Sequence, residues 1–205
     1  MSEILILFFG AVSAGLLGSL TGLGGGVVII PLLTLGFGVP MHYAIGASLI
    51  SVIGTSSGAA AAFVKEGFTN VRIGMFLEIA TTTGAIIGAL ISGLLNPNTI
   101  GIIFASILIL TVILNLRKKP DHQEPLIKGS LEHRLRLYGT FPDKGVIKAY
   151  SARNTIPGFF MMAFAGVMSG LLGIGSGALK VLAMDNMMKL PFKVSTTTSN
   201  FMIGV

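Results

Sequence analysis

Cysteine and tryptophan are absent from this sequence, histidine occurs three times, and charged residues make up only 11% of it. A soluble globular domain carries about 25% charged residues. Without cysteine there are no disulfides, no thiol nucleophile and no thiolate metal ligand. The histidines, His42, His122 and His133, are scattered and show no metal-ligand spacing, so neither a metal nor another cofactor is expected. Without tryptophan, any interfacial aromatic belt rests on phenylalanine and three tyrosines. The sparse charge is also unevenly spread. No Asp, Glu, Lys or Arg occurs from Ile4 to Val64, from Ile79 to Leu116, from Asn154 to Leu179, or from Val194 to Val205. About 20 apolar residues cross a bilayer core. Each of the first two stretches is long enough for more than one crossing. The lipid bilayer is therefore the first partner expected.

A net charge of +6 does not point to nucleic acid. Nine of the fourteen basic residues lie between Arg117 and Arg153, together with four acids. That distribution marks a cytoplasmic loop under the positive-inside rule; no segment interleaves aromatics with bases, as a nucleic-acid face does. The N-terminus is apolar from Ile4 with no basic region before it, which argues against a cleaved signal peptide.

The first apolar stretch is interrupted by Thr21–Gly26 and by Pro31. Consecutive glycines cost about 1 kcal/mol each in a helix. Two short helices are expected, over 4–20 and 27–37, joined by an unwound segment. Further spans are expected over 43–64, 71–95 and 99–116. Residues 117–153 form a polar loop, with a short helix over 131–137, and the apolar pattern resumes at 155.

The chain repeats itself. At an offset of 151, Gly15 meets Gly166, Leu20 meets Leu171, and Gly22, Gly24 and Gly26 meet Gly173, Gly175 and Gly177. Pro40 then meets Pro191, and Ser48 meets Ser199. A fixed period of this kind points to duplication. The expected organisation is a first transmembrane repeat over 1–116, the polar loop over 117–153 and a partial second repeat over 154–205. Val205 corresponds to Gly54, inside an apolar span, so a truncated second repeat is expected. The fold class is an all-α integral membrane protein with glycine-broken helices. If residues 4–37 fold back as a hairpin, the repeats are inverted; if they cross once, the repeats are parallel. Glu3 at the N-terminus, and Lys189 and Lys193 after the second glycine segment, favour inverted repeats.

Unwound glycine segments at membrane depth expose backbone groups that lipid cannot satisfy, so they face protein, water or a substrate. A helix N-terminus leaving such a break can hold an anion. Paired breaks in two repeats mark a binding site at their interface. The candidates are Gly22, Gly24, Gly25 and Gly26 in one copy and Gly173, Gly175, Ser176 and Gly177 in the other. Close helix packing is the competing explanation for membrane glycines, and it is the expected role of Gly84, Gly88 and Gly93. Neither break is a Walker loop or a dinucleotide fingerprint. Ser48, Ser199 and Asn200 add donors for an oxyanion, with interhelical hydrogen bonding as the alternative. Lys180 lies three residues beyond Gly177. It either neutralises an anion or snorkels to the interface. Glu78 is a proton carrier or, as expected more, a partner of Arg72; Asp185 is expected near Lys189 at the interface.

Gly15–Gly18, Gly22–Gly26, Pro31–Leu33 and Ala44–Ser48 together resemble the first repeat of the TauE/SafE sulfite-exporter family. Gly166–Gly177 resembles its second glycine motif, and Ser195–Asn200 the hydroxyl-rich segment after it. The resemblance implies a multi-pass plasma-membrane permease of bacteria or archaea. Its substrates would be sulfite, sulfoacetate or other small sulfur-containing or organic anions. The sequence departs from the pattern in the missing terminal spans and in Lys180, which matches Ile29 of the first copy. Proton-coupled transport, passive anion conduction and a non-transporting membrane subunit stay open, as does a homo-oligomer. No enzyme is expected, because no nucleophile–base pair or ligand set stands at membrane depth.

Overall fold

The computed structural model describes residues 2–116, 134–143, 146–175 and 177–204. Helix α1 (Ser2–Thr21) is followed by the short α2 (Gly26–Pro31), which runs into a π-helical turn at Leu32–Gly36. Helices α3 (Met41–Lys65), α4 (Val71–Ser92) and α5 (Pro97–Leu116) complete the first half. A β-hairpin follows, β1 (Tyr138–Asp143) with β2 (Val146–Ser151). Then come α6 (Thr155–Leu172), the short α7 (Gly177–Leu182) with its π-helical turn at Ala183–Met187, and α8 (Phe192–Gly204).

Local chemistry sets the boundaries. Helix α1 stops where Gly22 turns to φ 74°, and the Leu23 and Gly24 amides close on the Gly18 carbonyl at 3.0 and 3.3 Å. Helix α6 stops at Gly173, φ 67°, whose amide closes on Ser169 at 2.8 Å. Both endings are left-handed glycine caps. Asn70 caps α4, its Oδ1 accepting from the Ile73 amide at 3.0 Å. The element boundaries recur at the offset of 151 read from the sequence: Thr21 with Leu172, Gly26 with Gly177, Leu32 with Ala183, Met41 with Phe192. The π turns recur as well. The first follows Pro31 and the second follows Leu182, so the missing proline amide is not what produces them.

Residues 4–37 fold back on themselves. A methyl on Gly25 would lie 2.7 Å from the Ala14 carbonyl oxygen, and one on Gly10 would lie 2.5 Å from Leu32, so α2 descends along α1. In the second half, Asn154 Nδ2 donates to the Met187 carbonyl at 3.3 Å, and the Arg153 amide to Met188 at 2.9 Å. Helix α7 and its π turn thus descend along α6. Helices α3 and α8 run antiparallel, with Ser57 beside Gly204 and the end of α3 beside Thr197, which donates to the Phe68 carbonyl at 3.0 Å. Helices α4 and α6 run side by side in the same direction. Gly84 and Gly88 meet the α6 backbone at Ala163 and Val167, and Gly166 and Gly170 meet the α4 backbone at Thr81 and Ala85. The expected packing role holds for Gly84 and Gly88. It does not hold for Gly93, which caps α4 and faces only its own turn.

Among the described residues four helices are long and apolar enough to cross a membrane: Ile4–Thr21, Met41–Lys65, Val71–Ser92 and Thr155–Leu172. Their outward faces are apolar, as at Phe9, Leu20, Ile50, Ile79 and Phe160, which is what lipid contact requires. Helix α8 is the opposite. Its segment Val194–Asn200 is buried throughout although six of those seven residues are Ser, Thr or Asn.

The polar loop departs from expectation. Of the helix expected over 131–137, residues 131–133 lie outside the described residues, and 134–137 lead through a turn into the hairpin. The β-prone Tyr138–Phe141 and Val146–Tyr150 flank Pro-Asp-Lys-Gly, a turn signal between two strands. The pairing is antiparallel, from Tyr138 opposite Ser151 to Asp143 opposite Val146. Leu137, Phe141, Tyr150 and Ala152 pack with Ile73, Met184 and Met188, so the hairpin closes one end of the helical bundle. Asp143 receives Lys148 at 2.7 Å and Lys193 of α8 at 2.8 Å. Those two hydrogen bonds, Lys148 first, hold its carboxyl down at about 2. Tyr150 accepts from Asn70 Nδ2 at 2.9 Å, and burial pushes its hydroxyl above the usual tyrosine value.

Candidate functional site

The two glycine breaks meet at the centre of the bundle, each held by the helix that follows the other. Ser48 Oγ of α3 donates to the Gly173 carbonyl at 2.9 Å, and Ser199 Oγ of α8 donates to the Gly22 carbonyl at 2.9 Å. Both serines are fully buried. A methyl on Gly22 would lie 2.8 Å from the Thr196 carbonyl oxygen, and one on Gly173 would lie 2.9 Å from that of Ile45. These contacts also stand at the offset of 151. Gly24 and Gly175, φ 78° and 73°, converge on one side chain, since a methyl on either would lie 2.6 Å from Val52 Cγ1. A left-handed backbone and the lack of room both require glycine there.

The hydroxyls of Ser48 and Ser199 therefore satisfy unwound backbone, as lipid-exposed backbone cannot be satisfied. Asn200 does the same for α1, its Nδ2 donating to the Ser19 carbonyl at 2.7 Å. Asn200 Oδ1 is buried and has no hydrogen-bond partner among the described residues. Gly25 packs on α1; Gly26 packs between Ser48 and Ile174, and Gly177 against Gly22 and Leu23. Ser176 lies outside the described residues.

A cavity of about 400 Å³ opens beside the second break. Gly175 and Lys180 line it, with Glu78, Thr81 and Thr82 of α4 and Ser169 of α6 among the polar contributors. Leu49, Val52, Met202 and Ile203 supply an apolar wall, and the exposed Ile53 and Ile86 edge it. Among the described candidates Gly175 and Lys180 line this cavity, and Gly22, Gly24, Gly25, Gly26, Ser48, Gly173, Gly177, Ser199 and Asn200 do not.

Lys180 does not snorkel. Its residue is 4% exposed, and Nζ stands 3.3 Å from Glu78 Oε2. Glu78 thus turns to Lys180 and not to the expected Arg72. The other carboxylate oxygen, Oε1, accepts from Thr82 Oγ1 at 3.2 Å. An ammonium buried among apolar helices is costly unless paired, and Glu78, lining the same cavity, is its partner. Sequence reasoning weighed the two charges separately. Their opposite signs are visible in the sequence, but Arg72 shares the helix of Glu78, so no local pattern joins Glu78 to Lys180. Among the described residues no group of three or more His, Asp or Glu is placed to hold a metal ion.

Residues 7–205 match the family model described as sulfite exporter TauE/SafE. The chain is 33% identical to the probable membrane transporter protein YunE of Bacillus subtilis (strain 168), over 99% of this chain and 74% of that protein. It is 26% identical to the probable membrane transporter protein YdhB of the same organism, again over 99% and 74%. No solved structure matches the chain.

Proposed function

The chain belongs to the TauE/SafE sulfite-exporter family of membrane transporters, and from that premise we propose that it is a permease that moves a small anion across the plasma membrane through the cavity at Lys180. The observation that carries this reading is the buried Lys180 ammonium. It faces a cavity large enough for a small oxyanion, in a wall that holds one carboxylate. A fixed positive charge at membrane depth draws an anion out of water and offsets its desolvation. Sulfite and small organosulfur or organic anions are the substrate class.

The architecture in this proposal is two inverted repeats, 1–116 and 154–205, joined by a cytoplasmic loop at 117–153. The reciprocal serine contacts, the antiparallel α3 and α8 and the recurring element boundaries support it. In such transporters broken helices meet at the repeat interface, and the repeats rock against each other around that site to exchange access. Gly22, Gly24, Gly25, Gly26, Ser48, Gly173, Gly177, Ser199 and Asn200 then shape that interface, while Gly175 and Lys180 stand nearest the anion. The test is uptake of labelled sulfite and sulfoacetate into proteoliposomes. Saturable uptake above that of empty liposomes is expected; uptake that is absent for both, or linear in concentration, contradicts the reading.

A further inference from the structure

Glu78 is placed to do more than neutralise Lys180. Its side chain is 20% exposed whereas that of Lys180 is 5% exposed, and both line the cavity, so the carboxylate is the more accessible member of the pair. An anion that takes Lys180 as its partner competes with Glu78 for it. Two negative groups on one buried ammonium leave an uncompensated charge at membrane depth, which is strongly disfavoured.

We propose that Glu78 is the proton carrier of the transport cycle: an anion displaces it from Lys180 only as it takes up a proton. The inference rests on the permease reading and names its coupling ion. In the empty site the Glu78 carboxylate accepts from Lys180, and the pair is neutral. When a monoanion such as hydrogen sulfite takes the place of Oε2 at Nζ, a proton from water adds to the carboxylate. The occupied site then holds Lys180 ammonium, the anion and a neutral Glu78 carboxyl. One negative charge and one proton have entered, and the net charge is unchanged. Release reverses both, so proton and anion travel together.

Among the described residues the surroundings offer no other ionisable group for that role. Among the residues lining the cavity, Glu78 and Lys180 are the two that titrate. Helix α6 carries no charged residue. On α8 the charged residue is Lys193, at the far hairpin end and held by Asp143. His42 and Lys65 lie at the two ends of α3, and Arg72 lies at the exposed start of α4. Asp185 sits in the π turn after α7 and does not line the cavity. Thr82 donates to Oε1 and Lys180 to Oε2, so Oε2 is the oxygen that would exchange Lys180 for a proton.

The experiment uses the full chain in proteoliposomes with a pH dye in the lumen, driven by inward gradients of sulfite and of sulfoacetate. The wild type is expected to acidify the lumen as the anion enters. Anion entry without acidification overturns the inference and leaves the permease reading standing; no entry of either anion sinks both. Titration calorimetry in two buffers of different ionisation enthalpy then assigns the proton. The wild type takes up about one proton per monoanion bound, and Glu78→Gln takes up none and binds the anion about tenfold more tightly, because a competitor of Lys180 has been removed. Unchanged proton uptake in Glu78→Gln overturns the assignment. So does loss of anion binding, since Glu78 would then be a ligand of the anion and not its rival. Glu78→Asp guards against misfolding of the first variant: the pH midpoint of anion affinity shifts if residue 78 titrates, and an unmoved midpoint contradicts it.

Discussion

Ser48 Oγ donates to the carbonyl oxygen of Gly173 across the centre of the bundle, at 2.9 Å. The same bond recurs from Ser199 to Gly22 at 2.9 Å. Each joins the helix after one break to the backbone of the other break, so the two unwound segments share one support. A hydroxyl removed from a buried carbonyl leaves that carbonyl short of a donor.

Ser48→Ala and Ser199→Ala are each expected to lower stability by about 1 kcal/mol, and by similar amounts. Thermal unfolding in detergent measures this. A large effect at one serine and none at the other would contradict the equivalence of the two breaks.

The α4–α6 seam gives a sharper contrast. A methyl on Gly88 would run into the Val167 carbonyl oxygen, whereas one on Gly54 or Gly101 has nothing within 4 Å. Gly88→Ala is expected to destabilise by about 1–3 kcal/mol through overpacking. Gly54→Ala and Gly101→Ala are expected to be near neutral. Equal effects of all three would show that the seam is not closely packed.

Most of the helical framework was legible in the sequence because charge-free runs, glycine breaks and an offset of 151 are one-dimensional signals. Thr21 and Gly26 as break boundaries followed from glycine's poor helix propensity alone. The site was only partly legible. Ser48 and Ser199 were recognisable as equivalent, but only the fold shows that their hydroxyls serve carbonyls from the opposite half. Glu78 and Lys180 are separated by 102 residues, and nothing in local pattern decides between Arg72 and Lys180 as the partner of Glu78. The hairpin over 138–151 was missed because the charge of the loop masked its alternating β-branched and aromatic residues.

The hairpin's attachment has a defined pH dependence. The Asp143 carboxyl is lowered in the folded chain from 3.8 to about 2 by Lys148 and Lys193. Its contribution is therefore present in full above the unfolded value and is lost as the pH falls through about 2. Tyrosine fluorescence, free of tryptophan, follows Tyr150 in the docked hairpin. The wild type is expected to lose more of its docked signal on acidification than Asp143→Asn, which lacks the charged pair at every pH. Coincident acid transitions would contradict this.

The buried pair makes a prediction about stability that is separate from transport. Lys180→Met leaves Glu78 without its partner and is expected to cost about 3 kcal/mol or more. Adding Glu78→Gln is expected to restore much of that loss, because two neutral side chains then line the cavity. Unfolding of the single and double variants reads this directly, and equal stability of the two would show that the charges do not interact.

The double variant also carries the most direct test of the permease reading, since it retains the fold and removes the fixed charge. Sulfite and sulfoacetate uptake should be measured for the wild type and for Lys180→Met/Glu78→Gln in the same proteoliposomes. The expected result is saturable uptake by the wild type and a loss of about 100-fold or more in the folded double variant, the ammonium being the group that draws the anion to membrane depth. Uptake by the double variant equal to that of the wild type would contradict an anion site at Lys180.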